Sequence, residues 1–163
     1  KWRVYSPTTA RIGELIGAQP VTVQEAELSQ ALATGVVDGL ITSSATGADN
    51  KLFESLKYYY NVQAWIPKNA VTVSKKAFGA LDKSTQEAVL KAAAAAEQRG
   101  WKESREVDAR SIAALKQGGM QVEQPSAQLK ADLGKIGATV IKEWTDKAGA
   151  DGQAILDGYK AGK

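Results

Sequence analysis

An arginine near the start of the sequence is the residue best suited to binding chemistry. Arg3 lies in the apolar and aromatic segment formed by residues 2–5, which is β-prone. A guanidinium in such a segment must either point to water or meet an anion, and its planar fork matches a carboxylate in two parallel hydrogen bonds. Taken alone, the residue type favours a solvent-facing arginine on an edge strand, because most arginines are exposed. The alternative is a binding group for an organic acid.

A group of aromatic residues offers a second kind of contact. Tyr58, Tyr59 and Tyr60 are consecutive, and Trp65 follows shortly before Pro67. Strand alternation sends Tyr58 and Tyr60 to one face and Tyr59 to the other. Packing in a core or an interface is the ordinary interpretation, and a wall that stacks on a ligand is the alternative.

The composition excludes several classes of chemistry. The sequence has no Cys and no His, which removes thiolate nucleophiles, imidazole acid–base catalysis and Cys/His zinc sites. No phosphate-binding glycine motif and no calcium-loop spacing is present. The net charge is 21 − 18 = +3, but basic and acidic residues are interleaved, as on a solvated helix. No catalytic site, metal, cofactor or nucleic-acid partner is therefore expected.

Length and pattern predict an α/β fold. The 163 residues suggest one domain or part of a larger one, and no run reaches the roughly 18 apolar residues of a membrane helix. Short strands alternate with helices at first, which favours parallel pairing. Strands are predicted at residues 2–5, 21–23, 36–41, 58–64, 70–74 and 120–123. Helices are predicted from Pro7, after a Thr22/Glu25 capping box, at 75–81, from a Ser84/Glu87 capping box to Gln117, from Ser126, and at 151–159.

The helix that ends at Gln117 has two parts. Residues 89–96 are rich in alanine, whereas residues 99–110 are charged almost all round. A helix that is polar on every side often bridges two lobes instead of lining a core. Gly100 lies at the junction and is predicted to bend the helix.

Several motifs, taken in chain order, resemble those of one family. Residues 31–39 read ALATGVVDG, close to an ALQxGVVDG signature. The shorter matches are residues 1–4 to K-x-R-V, 17–20 to GAxP, Glu27 to the glutamate before ALQ, 51–58 to KFYExxKY, 73–78 to VSKKxF, and Leu81 with Gln86 to LPxxxQ. Jointly these motifs resemble the DctP-type extracytoplasmic solute receptors of TRAP (tripartite ATP-independent periplasmic) transporters, over essentially the whole chain.

The resemblance implies a periplasmic-binding-protein-like, two-lobed clamshell, of which this chain is the C-terminal half. Residues 1–67 would form a second-lobe α/β segment that carries half of the ligand cleft. Residues 68–107 would form a crossover strand and the first part of a long inter-lobe helix, packed on the absent first lobe. Residues 108–135 would return to the second lobe, and residues 136–163 would form the C-terminal helices.

The resemblance also implies a ligand site. The family's K-x-R-V arginine binds the ligand carboxylate, and it corresponds to Arg3. Thr42 stands where the family's VDGQENP segment places an asparagine, and this shorter side chain implies a different ligand. Glu25 replaces an aromatic residue of the pocket and either meets a polar or cationic ligand group or faces away. The implied ligand-binding residues are Arg3, Tyr5, Ser6, Glu25, Thr42, Trp65 and Asn69.

The implied function is that of a solute-binding receptor subunit, not an enzyme. It would capture a small organic acid in the periplasm, with aromatic, keto and hydroxy acids as candidates, and deliver it to the small and large membrane subunits of the transporter. The alternatives are a carboxylate-dependent enzyme fragment and a non-catalytic helical interaction module. Without its first lobe the chain is expected to expose apolar surface and to self-associate or exchange elements.

Overall fold

The described chain combines short strands with progressively longer helices. Residues 1–64 and 69–162 are described by the computed structural model. The elements in them are β1 (Trp2–Val4), α1 (Pro7–Leu15), β2 (Pro20–Thr22), a 3-10 turn (Glu25–Glu27), α2 (Leu28–Ala33), β3 (Gly39–Leu40), α3 (Ser44–Asp49), a second 3-10 turn (Leu52–Glu54), β4 (Tyr58–Tyr60), α4 (Lys75–Gly79), α5 (Lys83–Gln117), β5 (Gln121–Glu123) and α6 (Ala127–Ala161).

The first three strands form a parallel sheet in the order β2-β1-β3, as the alternation of strands and helices predicts. In this register Arg3 lies between Val21 and Leu40. The strand predicted at residues 36–41 is confined to Gly39–Leu40, and Val37 before it is buried in the core. Because the three strands are parallel, their carboxyl ends meet at one edge of the sheet.

Local signals fix the helix boundaries, with two corrections. Ser6 caps α1 in a reciprocal capping box with Thr9. The Thr22/Glu25 capping box is wrong: Thr22 is held in β2, and no side chain caps the 3-10 turn that follows. The capping box expected from Ser84 is also wrong, because α5 begins earlier, with the Asp82 carboxylate accepting from the Thr85 backbone N–H at 3.0 Å.

The apolar core lies under the first sheet and against the end of α5. Its buried members are Val23, Leu28, Ala31, Leu32, Val37, Leu52, Leu115 and Met120. Helix α3 packs closely on α5, because Gly47 is buried with a Leu115 methyl group 3.4 Å from the position a Cβ would take. The last part of α5 thus belongs to the same core as residues 1–56.

The remaining elements follow the prediction in part. β4 and β5 form a second, parallel pair, and β4 is shorter than the predicted 58–64 strand. Residues 70–74 form no strand, since no described strand lies beside them to complete a ladder. Helix α5 is continuous through Gly100, so no break in the helix occurs at the residue where a bend is predicted. A break does occur in α6 at Gly149 (φ 65°, ψ −145°), just before the predicted helix at 151–159.

Candidate ligand-binding site

Arg3 is the middle residue of a central strand, and its side chain reaches the carboxyl edge of the sheet, where it meets Val23 just beyond β2. β1 lies between β2 and β3, and Arg3 is only 4% exposed. The interpretation of Arg3 as a solvent-facing residue of an edge strand is therefore wrong. In open α/β sheets, ligands bind in the crevice beyond the carboxyl ends of the strands. Arg3 has the position that such a ligand group requires.

Two contacts hold the Arg3 side chain. Its Nε donates to the Val23 carbonyl oxygen at 2.9 Å, and its Cζ lies 4.6 Å from the centre of the Tyr5 ring. The ring face is electron-rich and attracts the guanidinium. Within residues 1–64 and 69–162, this Nε bond is the only hydrogen bond of the Arg3 side chain, so the two terminal nitrogens have no acceptor there. A planar pair of donors is left available for an anion.

Burial determines the electrostatics of Arg3. Loss of hydration lowers the pKa of the guanidinium, while Tyr5 and the Glu25 carboxylate act in the opposite direction. An arginine nevertheless stays protonated at any physiological pH. A buried cation without a paired anion is unfavourable, and a bound carboxylate would offset its lost hydration.

Glu25 lies close enough to Arg3 to influence it but is exposed. It begins the 3-10 turn after β2, next to the carboxyl edge of the sheet. Its Oε1 accepts a long hydrogen bond from Asn50 Nδ2 at 3.5 Å. Glu25 therefore has acceptor capacity left on the same edge where Arg3 has donors.

Thr42 follows β3, and Ser6 follows β1, the strand that carries Arg3. Thr42 is half-buried in the loop that follows β3, two residues beyond the Leu40 partner of Arg3. The Ser6 hydroxyl accepts from the Thr9 backbone N–H at 3.2 Å and contacts Thr9 Oγ1 at 3.1 Å, so it serves as the cap of α1. A ligand role for either residue stays a prediction.

The other predicted site residues are less closely tied to Arg3. Trp65 lies outside the described residues, and Asn69 is exposed with no hydrogen bond to the described part of the chain. Tyr58 and Tyr60 are about half exposed on one face of β4, with ring centres 6.4 Å apart, and Tyr59 packs on the core from the other face. The predicted alternation is confirmed, and a stacking role for the two exposed rings stays a prediction.

One polar group near the site was not predicted from the sequence. Ser44, the first residue of α3, is buried, and its hydroxyl donates to Asp108 Oδ1 of α5 at 2.5 Å. The pKa of the Tyr59 hydroxyl is raised by burial and by Asp108, and a hydrogen bond with Ser44 opposes this rise. The three residues belong to α3, α5 and β4, so spacing along the chain could not have joined them.

The remaining features of the described residues are their acidic side chains, their helices and two grooves. No cluster of three acidic side chains that could hold a metal ion occurs in residues 1–64 and 69–162. Over the same ranges, none of the helices is both long and apolar enough to span a bilayer. A groove of about 430 Å³ lies between α3 and α5, and one of about 320 Å³ lies beside β2 and α2. Neither groove is lined by Arg3.

Solved structures share this fold. The chain is 53% identical to DctP6 of Bordetella pertussis, an extracytoplasmic solute receptor that binds pyroglutamic acid, with a TM-score of 0.94 over 98% of this chain and 53% of that one. It is 43% identical to DctP7 of the same organism, which also binds pyroglutamic acid, with a TM-score of 0.88 over 98% of this chain and 53% of that one.

A third relative comes from an unidentified marine microbe. This TRAP solute-binding protein is specific for pyroglutamate and holds co-purified pyroglutamate; it is 40% identical, with a TM-score of 0.91 over 99% of this chain and 53% of that one. None of the curated proteins has a sequence that matches this chain.

The chain spans about half the length of each of these structures. The predicted fold class is thereby confirmed: an α/β chain that corresponds to half of a two-lobed receptor. Residues 1–147 match the family model named DctP, bacterial extracellular solute-binding protein, family 7. This chain therefore belongs to the DctP family of bacterial extracellular solute-binding proteins.

Proposed function

We propose that this chain supplies one half of the ligand cleft of a TRAP-transporter solute receptor, and that Arg3 binds the carboxylate of a small organic acid there. One observation carries the proposal. The buried Arg3 side chain reaches the carboxyl edge of a parallel sheet, makes one hydrogen bond to the described residues, and has two terminal nitrogens with no acceptor among them. A group so placed has an energetic need for an anion and the donors to bind it.

Pyroglutamate is the first ligand to test. The three relatives that are 40–53% identical all bind it. Its carboxylate fits the two free nitrogens of Arg3, and its ring N–H needs an acceptor. Glu25 offers a carboxylate on the same edge of the sheet, which gives a chemical reason for an acid at that position.

The same proposal assigns the exposed middle of the chain to contact with the other lobe. Residues 68–107 would pack on the first lobe. The segments on either side of this stretch in the sequence, residues 1–67 and 108–135, would belong to the second lobe, and residues 136–163 would form the C-terminal helices. In support, Val71, Val73, Leu81 and Leu90 are all exposed apolar residues in this stretch. An acid held by both lobes would shift the population toward the closed form. In the periplasm, that closed form would then deliver the acid to the small and large membrane subunits.

Calorimetric titration of the full-length receptor tests this function. Pyroglutamate should bind, and 2-pyrrolidinone, which has the ring amide but no carboxylate, should not. Arg3→Ala should weaken pyroglutamate binding at least about 30-fold, the equivalent of roughly 2 kcal/mol for loss of a buried charged hydrogen-bonded pair. Lys130→Ala, which removes an exposed cation of α6 outside the stretch proposed to contact the first lobe, is the control and should leave the affinity unchanged.

Two results would overturn the proposal. Pyroglutamate affinity that survives Arg3→Ala would remove Arg3 from the site. Turnover of the acid to a new product would favour an enzyme over a receptor.

A further inference from the structure

Thr42 belongs to a loop that is fixed at both of its ends. On one side, β3 pairs with β1 next to Arg3. On the other side, Ser43 caps α3, its hydroxyl accepting from the Thr46 backbone N–H at 3.0 Å. The position of Thr42 relative to Arg3 therefore depends on where the start of α3 is held.

The start of α3 is held by α5 through one polar contact. The Ser44 hydroxyl donates to Asp108 Oδ1 at 2.5 Å, and Ser44 is 3% exposed. A hydrogen bond to a carboxylate is stronger than one between neutral groups. Tyr59 on β4 is the third member of this polar group, and burial and Asp108 raise the pKa of its hydroxyl. Ser44 thus lies among the core, the second sheet and the long helix.

Apolar packing does not replace this contact. Gly47 and Leu115 bring α3 and α5 together one helical turn further along. That contact sets the distance between the helices but has no direction. The Ser44–Asp108 bond is directional, and it lies two residues from Thr42.

We propose that Asp108 and Ser44 are positioning residues for the ligand site, and that their hydrogen bond holds the Thr42 loop in the geometry that binds the acid. The proposal rests on the proposed function and adds residues on α5 and α3 that do not themselves touch the ligand. Pre-organising a loop lowers the ordering cost that binding must otherwise overcome. The bond should therefore affect ligand affinity more than folding.

A double-mutant cycle on pyroglutamate binding by the full-length receptor tests the proposal. Ser44→Ala and Asp108→Ala should each lower affinity about 10-fold, the lower end of the range for a hydrogen bond to a charged group. The double variant should lose no more than either single variant, because both remove the same bond. Asp108→Asn should lose less than threefold, since an amide oxygen can still accept from Ser44. Asp49→Ala, an exposed carboxylate on α3, is the matched control and should bind as wild type.

Thermal unfolding separates positioning from a purely structural role. If the bond positions the loop, the midpoint of the ligand-free Ser44→Ala receptor should stay near that of the wild type, and the rise caused by pyroglutamate should shrink. A lowered ligand-free midpoint with an unchanged ligand-induced rise would overturn the proposal. So would single variants within twofold of wild-type affinity, or losses that multiply in the double variant.

The outcome for the wild-type receptor distinguishes the two proposals. If it binds pyroglutamate and Arg3→Ala abolishes binding, while Ser44→Ala and Asp108→Ala have no effect, only the positioning role fails. If the wild-type receptor does not bind pyroglutamate, the ligand assignment and this inference both fail.

Discussion

Residues 1–64 and residues 69–106 use apolar side chains in opposite ways. The first region buries its apolar residues in a sheet-and-helix core that also takes in Leu115 and Met120. The second region has no buried residue among those described, and Val71 is fully exposed. Both regions carry the family's motifs, so the second is not a degenerate linker. The difference supports the proposal that residues 68–107 pack on the first lobe of the receptor.

The charged helix section refines this comparison. Residues 99–110 of α5 are solvated and carry ion pairs such as Lys102–Glu106 and Arg110–Glu106. Exposed pairs of this kind contribute little to stability. Helix α5 is therefore embedded in the core only at its end, around Ser111 and Leu115.

The largest expected effect compares one leucine from each region. Leu28 is 0% exposed, and Leu90 is 60% exposed. Leu28→Ala should lower the free energy of unfolding by about 3 kcal/mol, from lost burial and a cavity. Leu90→Ala should cost less than about 0.5 kcal/mol in the 163-residue chain, as at other surface positions. Urea unfolding followed by circular dichroism measures both.

A different result for Leu90 would sharpen the comparison. A cost close to that of Leu28→Ala would mean that the first half of α5 is covered in solution. Light scattering then tests whether self-association, which the sequence predicts, provides the cover. In the full-length receptor, the proposed lobe contact requires the same substitution to cost more than it does in the isolated chain.

Two glycines, one that contacts a side chain of the first region and one within the exposed region, give effects of opposite sign. A Cβ at Gly118 would collide with the Phe53 ring, whereas one at Gly100 would meet nothing within 4 Å. Gly118→Ala should lower the free energy of unfolding by about 1–3 kcal/mol through overpacking. Gly100→Ala should raise it by roughly 0.5–1 kcal/mol, because glycine is a poor helix former. A destabilising Gly100→Ala would show that the middle of α5 is closely packed against another surface.

These regions also show what the sequence could predict. Arg3 was found because its strand and its motif are local, and parallel pairing followed from the alternation of elements. The Ser44–Asp108 contact joins residues 64 apart in the chain, and neither residue has a distinctive neighbour. The strand prediction at residues 70–74 was wrong because it used only the local pattern, whereas a strand also requires a hydrogen-bonded partner elsewhere in the chain.

The smallest expected effect concerns the start of α5, which lies in the exposed region formed by residues 69–106. Asp82 accepts from the Thr85 hydroxyl at 2.6 Å, the Thr85 backbone N–H at 3.0 Å and the Ser84 hydroxyl at 2.7 Å. These hydrogen bonds hold the pKa of Asp82 well below its ordinary value of 3.8, and those from Thr85 have the largest effect. A carboxyl whose pKa is lower in the folded state stabilises that state above its unfolded pKa, and the contribution is lost as the pH falls through the folded value.

The capping contribution of Asp82 should therefore be fully present at neutral pH and fade only below about 4. Asp82→Asn keeps an acceptor for the Thr85 N–H but removes the titrating group. The thermal midpoint of this variant should fall less than that of the wild type between pH 5 and pH 2, a comparison that calorimetry measures directly. Parallel pH profiles would mean that the start of α5 is frayed in solution and that Asp82 does not cap it. The first half of the helix would then depend on its packing partner for its structure as well as for its cover.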